Sequence, residues 1–334
     1  MKKITAIAGA LLAGALALTG CSSGSPAGST AAPGTGAPAA SAPAGNGETK
    51  AVTVGTLPIL PTAVMHMGIE KGFFAENGLD VTIETGQGGA ALVPAVQSGT
   101  MQFATGNVTS LLTARDRGLD IRVIASYTYD TDDGVHAVLA KEDSGINSPK
   151  DLAGKKVAIN TLKSMGDLHI MDAIEKDGGD PASVQFVEMG FPQMGAALDA
   201  GHVDAVWTPE PFMTIISGTG NKIVFYPGVE SVKGHPTMMF FTSGQLVDND
   251  PGTVDAMKKA INRAMDYAQE NPDEVRQVAI DKLKTDPALA EKVVLEDFGG
   301  PVRTEQVRAT GDLMKKFGFI EKDADVDGLL ASAG

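Results

Sequence analysis

The feature that most constrains this chain is a regular alternation of short β-rich runs with helical segments that end at glycine. The first β-rich runs cover residues 51–56, 81–84, 103–105 and 121–126. The helical segments between them cover residues 62–71, 89–98 and 107–117, and a glycine follows each one. Strict alternation of this kind predicts a mostly parallel sheet covered by helices on both faces.

The alternation is interrupted near residue 130 and then resumes. An extended run at 135–140 and a turn-rich stretch precede further predicted strands at 157–160, 184–188 and 203–207. Helices are predicted between these strands at 165–176 and 193–200. A last extended run at 237–243 leads into a mostly helical C-terminal third. The pattern alone therefore predicts two α/β units.

The first twenty residues have the composition of an export signal. Lys2 and Lys3 precede an apolar run that ends at Leu18, and small residues lead from there to Cys21. This run is too short and too rich in alanine and glycine for a membrane span. The residues LTGC resemble the lipobox of bacterial lipoproteins, in which the signal is cut before the cysteine and the thiol is lipidated. The sequence thus predicts a signal peptide at 1–20 and a lipid on Cys21, with an ordinary signal and an incidental cysteine as the alternative.

Cys21 is followed by a stretch with no apolar periodicity. Residues 22–50 are Ser, Gly, Ala, Pro and Thr almost throughout, so they cannot bury enough surface to offset chain entropy. We expect residues 21–50 to form a lipidated, disordered tether, whose reach is about 30 Å. The folded body then begins near residue 51.

The charge and the histidine spacing of the chain exclude several classes of function. The net charge of −14 becomes −16 once Lys2 and Lys3 leave with the signal, and no cluster of five or more basic residues occurs. Nucleic acid is therefore not an expected partner. The five histidines are scattered without an H-x-x-x-H pair, so no metal site is predicted.

A glycine turn between the second predicted strand and the helix after it suggests a ligand. Gly86, Gly88 and Ala91 satisfy the G-x-G-x-x-A spacing of a dinucleotide-binding turn. Such a site needs an acidic residue at the end of the next strand, and here that position is Thr105 to Asn107. We therefore expect no cofactor. Converging backbone N–H groups at a helix start suit the oxygens of a sulfonate, carboxylate or nitrate, and a turn that only admits the helix is the alternative.

The stretch from residue 68 to residue 107 strongly resembles solute-binding proteins of ABC importers. The resemblance is to the subgroup that serves nitrate, taurine, aliphatic sulfonates and thiamine-pyrimidine precursors. It is carried, in the expected order, by KGFF…GLDV at 71–81, the glycine turn at 86–89, VQSG…FA at 96–104, SPKDLAGKKVAI at 148–159 and DA…PEPF at 204–212.

This resemblance implies a two-lobed periplasmic-binding-protein fold of type II. Each lobe would be an α/β unit, a mostly parallel sheet flanked by helices, and two crossing strands would join the lobes. The first lobe would comprise residues 51–138 and 241–334, and the second lobe, 139–240, would be inserted into it. A cleft between the lobes would hold one small molecule.

In parallel sheets ligands lie beyond the carboxyl ends of the strands, so the residues there are the candidate ligand contacts. In the first lobe these are Leu57, Pro58, Ile59, Thr62, Gln87, Gly88, Gly89, Thr105, Asn107, Thr109, Tyr127 and Tyr129. In the second lobe they are Asn160, Thr161, Lys163, Ser164, Glu188, Phe191, Trp207 and Glu210.

Several of these candidates have an equally simple structural role. Asn107 caps the third helix if it does not bind ligand, and Lys163 is otherwise an exposed loop lysine. Trp207, the only tryptophan, either stacks on a ligand or fills the core. Glu210 resembles an acid that the family has in this segment, or it caps a helix. Glu188, Glu210 and Asp130 near the cleft also leave amines and ring N–H groups open as ligands.

Together the signal and the resemblance predict an extracytoplasmic solute-binding lipoprotein, anchored by lipid to the outer face of the cell membrane. We expect a monomer that captures a small polar or anionic organic solute: a sulfonate, taurine, a nitrate-like ion or a pyrimidine precursor. Hinge closure would deliver the solute to an ABC permease with its ATPase subunits. The alternatives are a ligand-sensing lipoprotein without transport and an enzyme like the thiamine-pyrimidine synthases. That enzyme branch has a cysteine-rich motif, and no cysteine follows Cys21, so we do not expect an enzyme.

Overall fold

A computed structural model describes residues 49–333 of the chain. The predicted signal peptide, the lipid site at Cys21 and nearly all of the predicted tether lie outside these residues. The described strands are β1 (Lys50–Thr56), β2 (Leu79–Thr85), β3 (Phe103–Gly106), β4 (Ile121–Tyr129), β5 (His136–Lys141), β6 (Lys156–Ile159), β7 (Gln185–Glu188), β8 (Ala205–Pro209), β9 (Asn221–Phe225), β10 (Pro236–Ser243) and β11 (Asp297–Phe298).

Several helices begin with proline or follow a residue whose polar side chain is the N-cap. The helices are α1 (Thr62–Glu70), α2 (Gly89–Gln97), α3 (Val108–Asp116), α4 (Met165–Lys176), α5 (Phe191–Asp199), α6 (Phe212–Ser217), α7 (Pro227–Ser231), α8 (Gly244–Asn249), α9 (Pro251–Glu270), α10 (Pro272–Leu283), α11 (Pro287–Ala290), α12 (Thr304–Lys316) and α13 (Val326–Leu330). Within residues 49–333, none of these helices is long and apolar enough to cross a membrane.

The first sheet has the strand order β11-β4-β10-β3-β1-β2. β1 pairs in parallel with β2 and β3, for example Val54 with Phe103, whereas β10 runs antiparallel between β3 and β4. All eight residues of β10 are buried because the strand lies in the middle of the sheet. The sheet is therefore four strands of one direction with two antiparallel strands added by the later chain.

The second sheet has the order β7-β6-β8-β5-β9. β6 pairs in parallel with β7 and β8, and β5 runs antiparallel between β8 and β9. Each sheet thus has one antiparallel strand in its interior, β10 in the first sheet and β5 in the second. The chain passes from the first sheet to the second through residues 130–135, before β5, and returns through residues 226–235, before β10.

The predicted fold class, two mostly parallel α/β units flanked by helices, is confirmed. β9 was not predicted from the sequence, and β1 begins at Lys50, inside the predicted tether. β5, His136–Lys141, belongs to the second sheet and β10, Pro236–Ser243, to the first, each over its whole length, whereas the predicted lobe bounds at 138/139 and 240/241 fall inside these strands. The division into lobes stays a prediction. In the C-terminal third, α9 buries Val254, Met257 and Ile261 at helical spacing, as a helix packed on a core does.

Candidate functional site

The loops that follow β3 and β6 bring the two sheets into direct contact. Asn107 is the N-cap of α3 and accepts a hydrogen bond from Ser110 N at 2.9 Å, while its Nδ2 donates to Ser164 Oγ at 3.1 Å. Ser164 is the N-cap of α4, and its Oγ lies 3.3 Å from Ser110 Oγ. All three side chains are buried. The helices that start at the strand ends of the two sheets therefore meet through a buried polar cluster.

The glycine turn makes the second contact between the sheets. Asn160 Nδ2 donates to the carbonyl oxygen of Gln87 at 3.2 Å, and a Cβ placed on Gly88 would lie 2.5 Å from Thr161 Oγ1. Gly88 has an extended backbone, φ −177°, so the glycine is needed here for close approach. Gly86 N donates to Thr56 O at 2.8 Å, so this N–H group is not available to the anion that the glycine turn was predicted to bind. The turn thus faces the loop after β6.

Beside this contact, aromatic rings of the second sheet form a row. His136 stacks on Trp207 with ring centroids 5.3 Å apart and planes 8° apart. Phe191 lies 6.1 Å from Trp207 and 5.8 Å from Phe212. Gly166 of α4 packs so closely on the indole that an added Cβ would lie 2.7 Å from it. Since Ser164 is the N-cap of α4, Gly166 in the first turn of α4 connects this row to the polar cluster.

Several buried polar atoms near the strand ends have no hydrogen-bond partner within residues 49–333. Besides Asp130 Oδ2, which follows β4, they are Thr56 Oγ1, Thr109 Oγ1, Thr208 Oγ1 and His136 Nδ1. Each of these side chains is at most 4% exposed. Thr56 ends β1 and Thr109 is in the first turn of α3, whereas Thr208 and His136 lie near the paired ends of β8 and β5. Buried polar atoms are nearly always bonded in proteins, so these exceptions are candidate contacts for a polar ligand.

A cavity of about 640 Å³ opens between residues of the two sheets. Its lining from the first sheet includes Leu57, Pro58, Thr62 and Thr85, and its lining from the second includes Pro192, Pro211, Phe212 and Ile215. Thr56, Thr109, Thr208 and His136 do not themselves line this cavity, although Leu57 directly follows Thr56 and Phe212 is the last ring of the aromatic row. The volume is in the range of pockets that hold small organic ligands.

Glu210 joins two segments of the protein. Its side chain is 3% exposed and accepts hydrogen bonds from Thr214 N, Thr214 Oγ1 and Val294 N, at 3.1, 2.7 and 3.1 Å. Burial raises the pKa of this carboxyl, and the hydrogen bonds oppose that rise. Three donors on one carboxylate satisfy it well, so Glu210 ties α6 to the C-terminal segment.

The other charged candidates are exposed. Glu188 accepts from Leu162 N at 3.1 Å, and Lys163 has a left-handed backbone with φ 53°. Next to them, Asp167 completes the capping box of Ser164, and burial raises the pKa of this carboxyl to about 6.

Five further candidates are buried among neighbouring elements of the first sheet. Tyr127 OH donates to Pro61 O at 2.7 Å, and Tyr129 OH donates to Pro301 O at 2.8 Å. Thr62 Oγ1 donates to Leu57 O at 2.6 Å. Thr105 and Ile59 are buried. These contacts fix the loops after β1 and β4, and of this group only Thr62 lines the cavity.

A buried cluster of titratable side chains lies where the sheets are connected. Asp130 Oδ2 lies 3.6 Å from His235 Nδ1, and the rings of His235 and His169 are 4.4 Å apart. Burial lowers the pKa of His235 to about 4 and that of His136 to about 3, and it raises the pKa of Asp130 to about 6. These imidazoles are therefore neutral near pH 7. No group of three or more His, Cys, Asp or Glu that could hold a metal ion occurs in the described part of the chain.

Glu296 is a second buried carboxyl near the same connections. Its Oε2 accepts from Thr237 Oγ1, which in turn lies 2.6 Å from Thr128 Oγ1. Burial raises the pKa of Glu296 to about 7. Because Thr128 is on β4 and Thr237 is on β10, this one carboxyl links the two strands that lead to and from the second sheet.

The candidates predicted from the sequence include most of the residues at the strand ends but not His136, Thr56 and Thr208. Thr56 and Thr208 are direct neighbours of the candidates Leu57 and Trp207, so a strand-end rule that included the last strand residues would have found them. A lone histidine at the start of a strand gives no spacing signal. Only the pairing of β5 with β8 places His136 beside Trp207.

Comparison with known proteins finds one matching family profile and several similar proteins. The profile of the NMT1/THI5 like family matches residues 62–275. The formylaminopyrimidine-binding protein of Halalkalibacterium halodurans is 25% identical over 237 residues, which are 70% of this chain and 70% of that protein.

Solved structures share the fold at low sequence identity. The alkanesulfonate-binding protein SsuA from Xanthomonas axonopodis pv. citri, bound to MOPS, matches with a TM-score of 0.73 and 16% identity over 85% of this chain and 99% of that one. The periplasmic nitrate-binding protein NrtA from Synechocystis PCC 6803 matches with a TM-score of 0.73 and 15% identity over 86% of each chain. At such identities the likeness concerns the fold alone.

Proposed function

Because the chain belongs to the NMT1/THI5 like family, whose relatives include solute-binding proteins of ABC importers, we propose that it captures a small polar organic solute between its two sheets. The single observation that carries this proposal is the set of unpartnered buried atoms at the strand ends. Hydroxyl and imidazole groups that lose their water without gaining a partner destabilise the fold by roughly 1–3 kcal/mol each. A solute that bonds to them recovers this free energy on binding.

The chemistry of these atoms narrows the choice of solute. Threonine hydroxyls and a neutral imidazole both donate and accept, and none of them carries a charge. The stacking of His136 on Trp207 fixes the plane of the imidazole. An uncharged edge of nitrogen and oxygen atoms, as in a pyrimidine precursor, satisfies this set better than a bare nitrate does. Taurine and sulfonates stay in the tested group because their organic part can lie in the cavity.

Delivery of the solute follows from the same proposal. The ligand would contact both sheets, favour their approach by hinge motion at residues 130–135 and 226–235, and present the closed form to an ABC permease and its ATPase subunits. We further propose that the protein acts as a monomer outside the cytoplasm, anchored by a lipid on Cys21.

The test is a titration of the purified protein with formylaminopyrimidine, taurine, hexanesulfonate and nitrate. A true ligand at a hundredfold its dissociation constant stabilises the fold by about 2.7 kcal/mol, which a thermal melt detects. Trp207, the only tryptophan, supplies an independent fluorescence signal. If no compound raises the melting temperature or changes the fluorescence, the proposed solute class is wrong.

Two matched threonine substitutions test the site itself. Thr208→Val removes an unpartnered hydroxyl, so we expect an unchanged or raised melting temperature and about tenfold weaker binding. Thr242→Val removes a hydroxyl that donates to Gln102 O at 2.6 Å, so we expect lower stability and unchanged affinity. Equal affinities in both variants would contradict the assignment of the site. Uptake by membrane vesicles that contain the permease distinguishes transport from sensing.

A further inference from the structure

The cavity of about 640 Å³ is lined mainly by apolar side chains. They make up more than half of the lining and include Leu57, Pro58, Pro192, Phe212, Leu283 and Leu289. These residues come from both sheets and from the segment that runs from the end of α10 into α11. A ligand loses most of its contact with water in such a cavity. Burial therefore favours an apolar body and disfavours a charge that finds no opposite partner.

The charged side chains of this cavity are already bonded to other groups. Lys282 Nζ lies 2.6 Å from Glu70 Oε1, and Lys284 Nζ donates to Asp281 O at 2.8 Å. Asp286 is the N-cap of α11, and its Oδ1 accepts from a backbone N–H at 2.8 Å. With Glu70 included, the two positive charges are matched by two negative ones. Within the described part of the chain, the lining therefore offers no unmatched charge to an ionic solute.

Thr285 is an uncharged polar residue of the lining that lacks a side-chain partner. Its side chain is 6% exposed, and its Oγ1 has no hydrogen-bond partner within residues 49–333. The backbone fixes its position, because Thr285 N donates to Ala279 O at 3.2 Å. The residue lies beyond residue 275, where the match to the family profile ends. A buried hydroxyl of this kind can both donate to a ligand and accept from it.

His66 of α1 is a second uncharged polar residue of the same cavity. It is half-buried and lines the cavity from the first sheet's side. Burial, and after it the charge of Lys282, lowers the pKa of this imidazole, while the charge of Glu70 opposes the shift. His66 is therefore neutral near pH 7. One of its ring nitrogens then donates a hydrogen bond and the other accepts one.

We propose that this cavity selects an uncharged, largely apolar solute, and that His66 and Thr285 bind the polar group that the solute carries. A carboxamide suits the two residues because, like them, it both donates and accepts. A carboxylate only accepts, an ammonium only donates, and each brings an unmatched charge into the cavity. This inference rests on the proposed function, because it concerns the solute captured between the sheets. Taurine, hexanesulfonate and nitrate should then fail to bind.

The experiment compares three compounds that share a benzene ring, by calorimetric titration of the full chain near pH 7. Benzamide is uncharged, benzoate is an anion and benzylamine is a cation at this pH. We expect benzamide to bind at least about tenfold more tightly than either ion, because neither ion finds an opposite charge in the lining. The affinity for benzamide should also stay constant as salt rises, since no charge pair contributes to it.

Thr285→Val and His66→Leu each remove one of the two polar groups. Each variant should bind benzamide about tenfold more weakly, and Thr285→Val should not lower the melting temperature, because its hydroxyl has no partner to lose. The matched controls are Thr310→Val and His202→Leu. Thr310 is buried and its Oγ1 donates to Gln306 O at 2.9 Å, His202 is exposed, and neither lines the cavity. Both controls should bind benzamide as the parent does.

Tight binding of an ion would overturn the inference: benzoate or benzylamine should not match benzamide. Unchanged benzamide binding in either His66→Leu or Thr285→Val would overturn it as well. If formylaminopyrimidine binds and benzamide does not, the same two variants must weaken formylaminopyrimidine, and unchanged affinity contradicts the assignment. If taurine, hexanesulfonate or nitrate binds and no uncharged compound does, the inference fails while the proposed function stands. If no compound of either panel binds, both fail.

Discussion

The close approach of Gly88 to the second sheet gives a prediction whose size follows from the structure. A Cβ at this position would lie 2.5 Å from Thr161 Oγ1 and 3.2 Å from Asn160 Nδ2. The first distance is shorter than any ordinary carbon–oxygen contact, so Gly88→Ala must displace the loop after β6 or rotate Thr161. The backbone of Gly88 is extended and adds no strain of its own, which leaves the steric contact as the only effect.

Two terms set the expected magnitude. Overpacking by one methyl group costs about 1–3 kcal/mol, and loss of the hydrogen bond from Asn160 to Gln87 O adds about 1 kcal/mol if the loops separate. Both terms weaken the contact between the sheets, while each sheet keeps its own packing. Because 1.4 kcal/mol corresponds to a factor of ten, a ligand that bridges the sheets should bind about tenfold to several-hundredfold more weakly.

The assay is calorimetric titration with whichever compound of the panel binds the parent, combined with small-angle scattering of the bound form. Thr161→Ala removes the oxygen nearest to the new methyl group, so the double variant should regain most of the lost affinity. Gly252→Ala is the control, since the neighbour of its added Cβ is 4.0 Å away. Affinity within twofold of the parent in Gly88→Ala, or a double variant no better than the single one, would refute the reasoning.

Three further predictions concern stability. Burial raises the pKa of Glu296 to about 7, so its ionisation opposes folding, and its contribution to stability is lost as pH rises from about 4.5 to about 7. Glu296→Gln should therefore gain about 2 to 3 kcal/mol relative to the parent between pH 5 and pH 8 in urea unfolding, and a constant difference would exclude this role. Burial lowers the pKa of His169, and its two ring nitrogens lack partners within residues 49–333. Protonation of this imidazole therefore favours the unfolded chain, and the free energy of unfolding decreases as pH falls below 6.5. Thermal melts of His169→Leu should show a larger gain in melting temperature over the parent at pH 5 than at pH 8. Asn107→Ala removes a helix cap and a bond to Ser164, and urea unfolding should show a loss of about 1–2 kcal/mol, against a smaller loss for Ser110→Ala, whose hydroxyl bonds only to Ser164.

The parts of the fold that depend on local chemistry could be predicted from the sequence. Asn107 was recognisable as a cap because an N-cap needs only a short polar side chain and a free N–H three residues later. The helices α2 and α3 are followed by Gly99 and Gly118, which have positive φ. Glycine adopts this backbone conformation without strain and so ends a helix locally, which makes the helix ends predictable from the sequence. By contrast β9 has five residues and no flanking alternation, so its pairing with β5 had to come from the tertiary structure.

The sequence predicted where the strand-end residues lie better than it predicted what their side chains bond to. Parallel strands place their carboxyl ends at one edge of a sheet, so residues after β1 and β3 were expected near one another, and the resemblance placed those after β6 across the cleft; the structure brings the loops after β3 and β6 into contact. Their partners are far along the chain, however: Asn107 and Ser164 are separated by 57 positions. Whether such a residue bonds to a ligand or to the other sheet depends on packing that no local pattern encodes. The predictions of ligand contact therefore stay predictions until the titrations are done.

The position of β10 between β3 and β4 also sets an order in which the chain can assemble. The five strands of the second sheet lie within residues 136–225, so that sheet can form as soon as its own segment has been synthesised. The first sheet must wait for residues 236–243, which are made after the whole of the second. Until then β3 and β4 each have an unpaired edge, and such edges bind other strands. A nascent chain of this protein should therefore be most prone to aggregation, and most dependent on chaperones, in the interval before β10 appears.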